Sequence, residues 1–327
     1  MNKIADAKPK RHDYQDLLSI VTPDDGWEID KVFAATYSLS LKGLAMLIMA
    51  MAKTWTQEGK PGSKADFVKA VEMMRGKCYV IGQPTRSQTI PNENSNCLHV
   101  LDQFYTEYSS SVNVPHSWHP KCVLIRMVPD KGKSPARKKH STDFAWRFWF
   151  GSKNLTLPQN LDLGMTVVGK PSVSGSFESD ELVDVAQLLF RQLPNSELSS
   201  SEKRELLEEL STVDWKFPRG FECKKLRLLD PNDHRKRKLP PLPADTSELM
   251  LVSPFLDEKC LMHVVGQTNS AKNRDLITSE YEHSRFKSID GYSRLIFNNA
   301  YPVSLSSAAD NKEEKSIFTI VHFSHVW

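Results

Sequence analysis

A histidine and a lysine stand two residues apart, at His119 and Lys121, where the apolar run PKCVLIRMV begins. Alternate residues of a β-strand project from the same face, so the imidazole and the ammonium are expected to point together. Val123 and Ile125 follow on that face and are expected to be buried. His116, three residues earlier, is a competing candidate with no lysine in register, and we predict that it serves loop chemistry or is an ordinary surface residue. The sequence therefore places one imidazole and one ammonium at the same end of a strand.

The next apolar run, FAWRFWF, is followed directly by the turn GSKN at residues 151–154. Open α/β sheets usually carry their functional sites at the carboxyl ends of strands. A small residue, a hydroxyl and an amide in a tight turn can donate hydrogen bonds to phosphate oxygens. Together with His119 and Lys121, this turn predicts a phosphate-handling site that needs neither a metal nor a cofactor.

Strand and helix patterns alternate along the part of the chain that carries these residues. The apolar periodicity predicts strands at 31–37, 77–81, 120–128, 144–150 and 163–168, and helices at 41–55, 67–74, 180–193 and 202–210. Ser199 and Glu202 have the spacing of a capping box at the start of the last helix. This alternation predicts an α/β/α sandwich with a mixed central sheet.

A charged and then proline-rich stretch at residues 226–245 has the composition of a linker. The strand-then-helix pattern begins again after it, with ELMLVS at 248–253 and a helix that starts near Asp257. Further short strands are predicted at 275–278, 293–297 and 316–322. We therefore predict a full lobe over residues 1–225 and the start of a second, similar lobe over residues 246–327.

The composition is that of a globular chain able to bury a sizeable core: 327 residues, 39% hydrophobic and 25% charged. A net charge of +3 permits a polyanionic ligand without requiring one. The five cysteines are scattered, which argues against a zinc site or a disulfide framework. The longest apolar stretch, residues 44–52, is about half the length of a membrane span. These features predict a cytoplasmic protein, with a nuclear location as the alternative because of the run HRKRK at 234–238.

The spacing HxK…GSxN resembles the signature of the phospholipase D superfamily, which includes lipases, nucleases and tyrosyl-DNA phosphodiesterases. The segment GSKNLT is most similar to the nuclease-like bacterial members, and the strand ends ATYS and VSPF also resemble the openings of such lobes. The resemblance implies a phospholipase D-like fold and a metal-independent phosphodiesterase. It favours nucleic acid as the substrate, DNA rather than RNA, in a defence or restriction system.

The resemblance also implies a role for each residue of the motif. His119 would attack phosphorus and form a phosphohistidine. Lys121 and Asn154, helped by Ser152, would stabilise charge on the non-bridging oxygens. Asp162 would accept a hydrogen bond from the distal nitrogen of a histidine and so fix its tautomer. A second histidine, from a second copy of the motif, would protonate the leaving group.

Three departures from the superfamily pattern leave alternatives open, one of which is that the interval from Asn154 to Asp162 is shorter than usual. The aspartate that usually follows HxK after four intervening residues is replaced by Arg126. The second lobe, residues 246–327, contains no HxK and no GSxN, so the partner motif is expected from residues beyond 327 or from another chain. The alternative functions are a tyrosyl-DNA or lipid phosphodiesterase and, from a different class, a catalytically silent nucleic-acid-binding scaffold subunit.

A cluster of cations, called the basic loop here, joins the two motif-bearing strands. Its members are Lys131, Lys133, Arg137, Lys138 and Lys139. Such a run is either a solvated hairpin tip or a clamp for a nucleic-acid backbone, which cations bind by releasing condensed counterions.

Overall fold

The structure, a computed structural model, describes most of the chain in separate ranges. These are residues 17–54, 63–83, 99–109, 118–130, 144–156, 164–172, 177–218, 226–230, 232, 241–252, 256–279, 292–297 and 318–322. The chain divides into two units, Met1–Arg237 and Lys238–Trp327.

A seven-stranded mixed sheet forms the centre of the first unit. Its strands are β1 (Trp27–Thr36), β2 (Cys78–Gly82), β3 (Tyr105–Glu107), β4 (Lys121–Pro129), β5 (Ala145–Gly151), β6 (Gly164–Pro171) and β7 (Val213–Lys216). They lie in the order β3-β2-β1-β4-β5-β6-β7. The pairs β1–β2 and β2–β3 are parallel, and the other four pairs are antiparallel. The predicted mixed central sheet is therefore confirmed.

In the described ranges of the first unit, five α-helices and one 3₁₀ helix accompany this sheet. They are α1 (Leu17–Val21), α2 (Leu41–Met51), α3 (Lys64–Met74), the 3₁₀ helix (His99–Phe104), α4 (Phe177–Gln192) and α5 (Ser200–Ser211). The predicted capping box is present at α5, where the Ser199 hydroxyl accepts the Glu202 N–H and the Glu202 carboxylate accepts the Ser199 N–H. The two reciprocal bonds satisfy backbone groups that a helix start leaves without partners.

Strand alternation divides the buried side chains between two cores, one on each face of the sheet. On β4, Val123 and Ile125 join the core formed with α1, α2 and α3. Cys122 and Leu124 join the core formed with α4 and α5. Helices thus cover both faces, which confirms the predicted α/β/α sandwich.

Arg126 is the centre of a polar cluster at the edge of the second of these cores. Its guanidinium donates two hydrogen bonds to the Glu209 carboxylate, at 2.7 and 2.6 Å, and one to Asp30 at 2.6 Å. The buried Trp146 indole N–H donates to the same Glu209 carboxylate at 2.6 Å. A bidentate arginine–carboxylate pair is geometrically demanding and strong. The cluster therefore ties α5 to β1, β4 and β5, and it accounts for the arginine at this position.

The second unit contains a four-stranded parallel sheet and one described helix. The elements are β8 (Glu248–Val252), α6 (Glu258–Gln267), β9 (Asn273–Ser279), β10 (Ser293–Phe297) and β11 (Phe318–His322), with the strand order β10-β9-β8-β11. The Asp257 carboxylate caps α6 by accepting the Cys260 N–H at 2.7 Å. Among the helices described in both units, none is long and apolar enough to cross a membrane.

Candidate active site

The sheet topology brings the HxK and GSxN segments to one edge. Thr36, the last residue of β1, pairs with Lys121, the first residue of β4. Strand β5 is antiparallel to β4, with Cys122 opposite Phe150, so its carboxyl end lies beside the start of β4. The end of β1, the start of β4 and the turn after β5 therefore meet at the same edge of the sheet.

His119 and Lys121 are in direct contact at this edge. The Lys121 Nζ lies 2.7 Å from the His119 Nδ1, and Lys121 is buried whereas His119 is partly buried. An ammonium has no lone pair, so it can only donate, and Nδ1 must accept. In a neutral ring the proton then sits on Nε2. The contact thus favours one tautomer of the imidazole for as long as Lys121 keeps this position.

The aromatic ring of Tyr37 packs against the imidazole. The two ring centroids are 3.9 Å apart and the planes are inclined by 50°. Tyr37 is the residue that follows the end of β1, within the ATYS segment, and it is partly buried. The sequence had not indicated a role for it, because the contact depends on how β1 pairs with β4.

The GSxN turn is held to the end of β1 by a short chain of hydrogen bonds. The Asn154 Oδ1 accepts the Ser38 N–H at 3.4 Å, which leaves the amide nitrogen as the donor end of that side chain. The Leu155 N–H donates to the Thr36 Oγ1 at 3.1 Å, and that hydroxyl donates to the Ser38 carbonyl at 2.8 Å. The Ser40 N–H donates to the Leu155 carbonyl at 2.9 Å. The two segments therefore form one connected unit at the edge of the sheet.

The first turn of α2 packs closely on the same unit. The Ser40 side chain caps the helix by accepting the Gly43 N–H. A Cβ atom at Gly43 would lie 2.9 Å from the Leu155 carbonyl oxygen, closer than a real side chain tolerates. Glycine at this position thus allows the helix to approach the turn that carries Asn154.

The residue before His119 is fixed on the opposite face of the sheet. The Trp118 N–H donates to the Gln83 side chain at 2.8 Å, and its buried indole stacks on Tyr108 with centroids 4.4 Å apart. The Tyr108 hydroxyl donates in turn to the buried Asp230 carboxylate at 3.0 Å. Burial, followed by the Asp230 charge, raises the pKa of the Tyr108 phenol above its ordinary value. The backbone leading into His119 is therefore anchored by a buried network.

The buried thiols of Cys122, beside this edge, and of Cys78, at the far end of β2, are not alternative nucleophiles. Burial raises the pKa of both Cys78 and Cys122 to about 12. The reactive species of cysteine is the thiolate, which is then nearly absent at neutral pH. Within the described ranges, no group of three or more His, Cys, Asp or Glu side chains is placed to hold a metal ion.

Ser152 lies in the turn after β5 and is partly buried. Several residues singled out in the sequence fall outside the described part of the chain, so their predicted roles stay predictions. They are His116, Asp162 and the five residues of the basic loop, Lys131, Lys133, Arg137, Lys138 and Lys139.

No protein-family model matches the sequence, and no curated protein matches it either. Solved structures that match include two of the yeast tyrosyl-DNA phosphodiesterase. A mutant form is similar with a TM-score of 0.32 and 13% identity, covering 60% of this chain and 36% of that chain. A second structure of the yeast protein gives a TM-score of 0.35 and 12% identity, covering 80% of this chain and 60% of that chain.

Proposed function

We propose that this chain is a metal-independent phosphodiesterase of the phospholipase D type that cleaves nucleic acid, with DNA as the preferred substrate. The observation that carries the proposal is the 2.7 Å contact between His119 and Lys121 at the edge to which the GSxN turn is fastened. It is supported by the resemblance of HxK and GSxN to the superfamily signature. The similarity of GSKNLT to nuclease-like members is the basis for proposing a defence or restriction setting.

The proposed chemistry consists of two displacements at phosphorus. In the first, a ring nitrogen of His119 forms a bond to phosphorus while the bond to the leaving oxygen breaks, and that oxygen takes a proton from a general acid. In the second, water attacks phosphorus and gives its proton to the group that had acted as the general acid, and the bond to nitrogen breaks, which regenerates both the histidine and the acid. Splitting one difficult displacement into two easier ones is the benefit of a covalent intermediate.

Lys121 has two roles that it fills in succession in this scheme. Its ammonium rests against Nδ1 until a phosphate binds, and then turns to the non-bridging oxygens, where charge develops. Attack through Nε2 requires the ring proton to sit on Nδ1 in the reacting state. Asp162 is the proposed acceptor for that N–H. Asn154 and Ser152 are the proposed donors from the turn.

The general acid in the first step is proposed to be a histidine of a second HxK motif. That motif would come from residues beyond 327 or from another chain, since superfamily members with a single motif build one site from two chains. A symmetric dimer provides such an arrangement because each chain presents the same surface to its partner.

Cleavage of a labelled oligonucleotide is expected to continue at an unchanged rate in excess EDTA. The reason is that histidine supplies the nucleophile and that lysine and amide groups supply the charge stabilisation. The measurement is the cleavage rate of the full natural protein with EDTA and with added Mg²⁺, beside a magnesium-dependent nuclease in the same buffers. Loss of activity on chelation with recovery on adding Mg²⁺ would disprove the mechanism. Absence of cleavage under all conditions would favour the silent scaffold.

The basic loop is proposed to bind the nucleic-acid backbone beside the active site. Neutralising Lys131, Arg137 and Lys139 together with glutamine is expected to flatten the slope of log affinity against log salt by roughly two to three units on duplex DNA. The loss should be similar for unrelated DNA sequences, because phosphate contacts do not distinguish bases. The measurement is DNA binding at several salt concentrations in a His119→Ala background, which prevents cleavage.

A matched variant separates a local contact from the general loss of three charges. Lys64 and Lys69 on α3 and Lys259 on α6 are exposed, and neutralising these three should leave the slope close to that of the parent protein. An unchanged slope for the loop variant would identify the loop as a solvated hairpin. Equal flattening in both variants would point to net charge alone.

A further inference from the structure

We propose that Tyr37 is a positioning residue for His119, whose ring it holds in the orientation needed for attack on phosphorus. This inference rests on the proposed function, and it concerns a residue outside the HxK and GSxN motifs. Three features carry it: the ring contact itself, the way the backbone on both sides of Tyr37 is fixed, and the change of partner that the chemistry requires of Lys121.

The ring contact is close enough to restrict the imidazole. With centroids 3.9 Å apart and planes inclined by 50°, atoms of the two rings are in van der Waals contact. Packing of this kind limits rotation about the Cβ–Cγ bond of histidine, which is otherwise a broad torsion. His119 itself lies two residues before β4 begins, at Lys121, so the ladder between β1 and β4 does not include it. The orientation of its ring must therefore come from side-chain contacts.

Tyr37 is well placed to supply such a contact because its own backbone is fastened on both sides. Thr36 before it pairs with Lys121 and binds the Leu155 N–H through its fully buried hydroxyl. Ser38 after it binds the Asn154 side chain through its N–H and the Thr36 hydroxyl through its carbonyl. The same bonds that place Asn154 thus also place the tyrosine that packs on the proposed nucleophile.

The hydrogen bond from Lys121 cannot hold the orientation of the His119 ring throughout the reaction. A single hydrogen bond from Nζ to Nδ1 still allows the imidazole ring to rotate about the Nζ–Nδ1 axis. In addition, the ammonium is needed at the phosphate oxygens in the transition state. Once Lys121 turns to the phosphate, the Tyr37 ring remains against the imidazole. Near-attack geometry must be kept at that moment, and a misplacement of about 1 Å can cost on the order of 100-fold in rate.

Three variants test the proposal: Tyr37→Phe, which keeps the ring, and Tyr37→Leu and Tyr37→Met, which remove it and fill the space differently. We expect Tyr37→Phe to stay within a few-fold of the parent kcat. The Leu and Met variants are expected to lose about 10- to 100-fold in kcat with little change in KM for an oligonucleotide. A rise in KM at unchanged kcat would overturn the proposal, because it would make Tyr37 a substrate contact.

A second measurement is independent of catalysis. In protein with ¹³C-labelled histidine, the His119 Cε1–H resonance is identified by its loss in His119→Ala. The neighbouring phenol ring is expected to shift it, and the shift should persist in Tyr37→Phe and disappear in the Leu and Met variants. A resonance that stays in place in all three variants would overturn the proposal even if the protein is an active enzyme. Conversely, an inactive parent protein with the expected resonance changes would reject the proposed function while the ring contact stands.

Discussion

Replacing His119 with alanine is expected to reduce phosphodiesterase turnover by on the order of 10⁴-fold or more while leaving the fold intact. Losses of this size follow removal of a nucleophile, because the remaining groups can only bind and polarise the substrate. His119 is only partly buried, so the substitution removes little packing. The measurement is kcat on an oligonucleotide, with circular dichroism and thermal unfolding as checks of the fold.

The companion substitution Lys121→Met is expected to lower kcat by about 10²- to 10³-fold, the usual effect of losing one donor that stabilises transition-state charge. Methionine is chosen because Lys121 is buried and its aliphatic part needs a replacement of similar length. His99→Ala is the matched control, since His99 is an exposed histidine of the 3₁₀ helix. His116→Ala should also be mild. If His116 proves essential and His119 dispensable, the assignment of the nucleophile is wrong.

Replacing Glu209 with alanine is expected to lower the free energy of unfolding of the first unit by about 1–3 kcal/mol. The variant leaves the Arg126 guanidinium with Asp30 as its remaining carboxylate partner and deprives the buried Trp146 indole N–H of its acceptor. A buried group without its partner loses the hydration it had in the unfolded chain and gains nothing in return. The measurement is urea unfolding followed by tryptophan fluorescence.

The adjacent residue provides the control for the helix. Glu208 lies next to Glu209 on α5 but is exposed and faces Arg204 at 3.9 Å, a pair of the kind that contributes little. Glu208→Ala is expected to change stability by less than about 0.5 kcal/mol. Glu209→Gln should fall between the two, because the amide oxygen can still accept from Trp146 while the charge is lost. Equal stability of the Glu208 and Glu209 variants would show that the Arg126 cluster is not a structural anchor.

Structural features that depend on residues close together in the sequence could be predicted, whereas features that depend on residues far apart in the sequence could not. The long strands and helices follow from local apolar periodicity, and the capping box at Ser199 from two residues three apart. Strands β3 and β7 were missed because three and four residues are too few to show a period. The partners of Arg126 were not predictable either, because Asp30 and Glu209 lie 96 and 83 positions away.

The same reasoning applies to the candidate active site. The proximity of His119 to Lys121 was expected from strand alternation, and the GSxN turn from its position after a strand. The position of Tyr37 against His119 was not expected, because it is set by the register in which β1 pairs with β4. No local pattern in the sequence specifies that register, because β4 is apolar on both faces and a one-residue shift would exchange one apolar face for the other.

The pairing of Thr36 with Lys121 also has a consequence for how the candidate site is assembled during folding. The two residues are far apart in the chain, and contacts of high sequence separation close late and slowly because the intervening loop must first lose its freedom. Central strands such as β1 and β4 are expected to open only with their whole cooperative unit, so their amide hydrogens should exchange with solvent most slowly. We therefore expect the imidazole, the ammonium and the amide to come together only when the first unit as a whole folds.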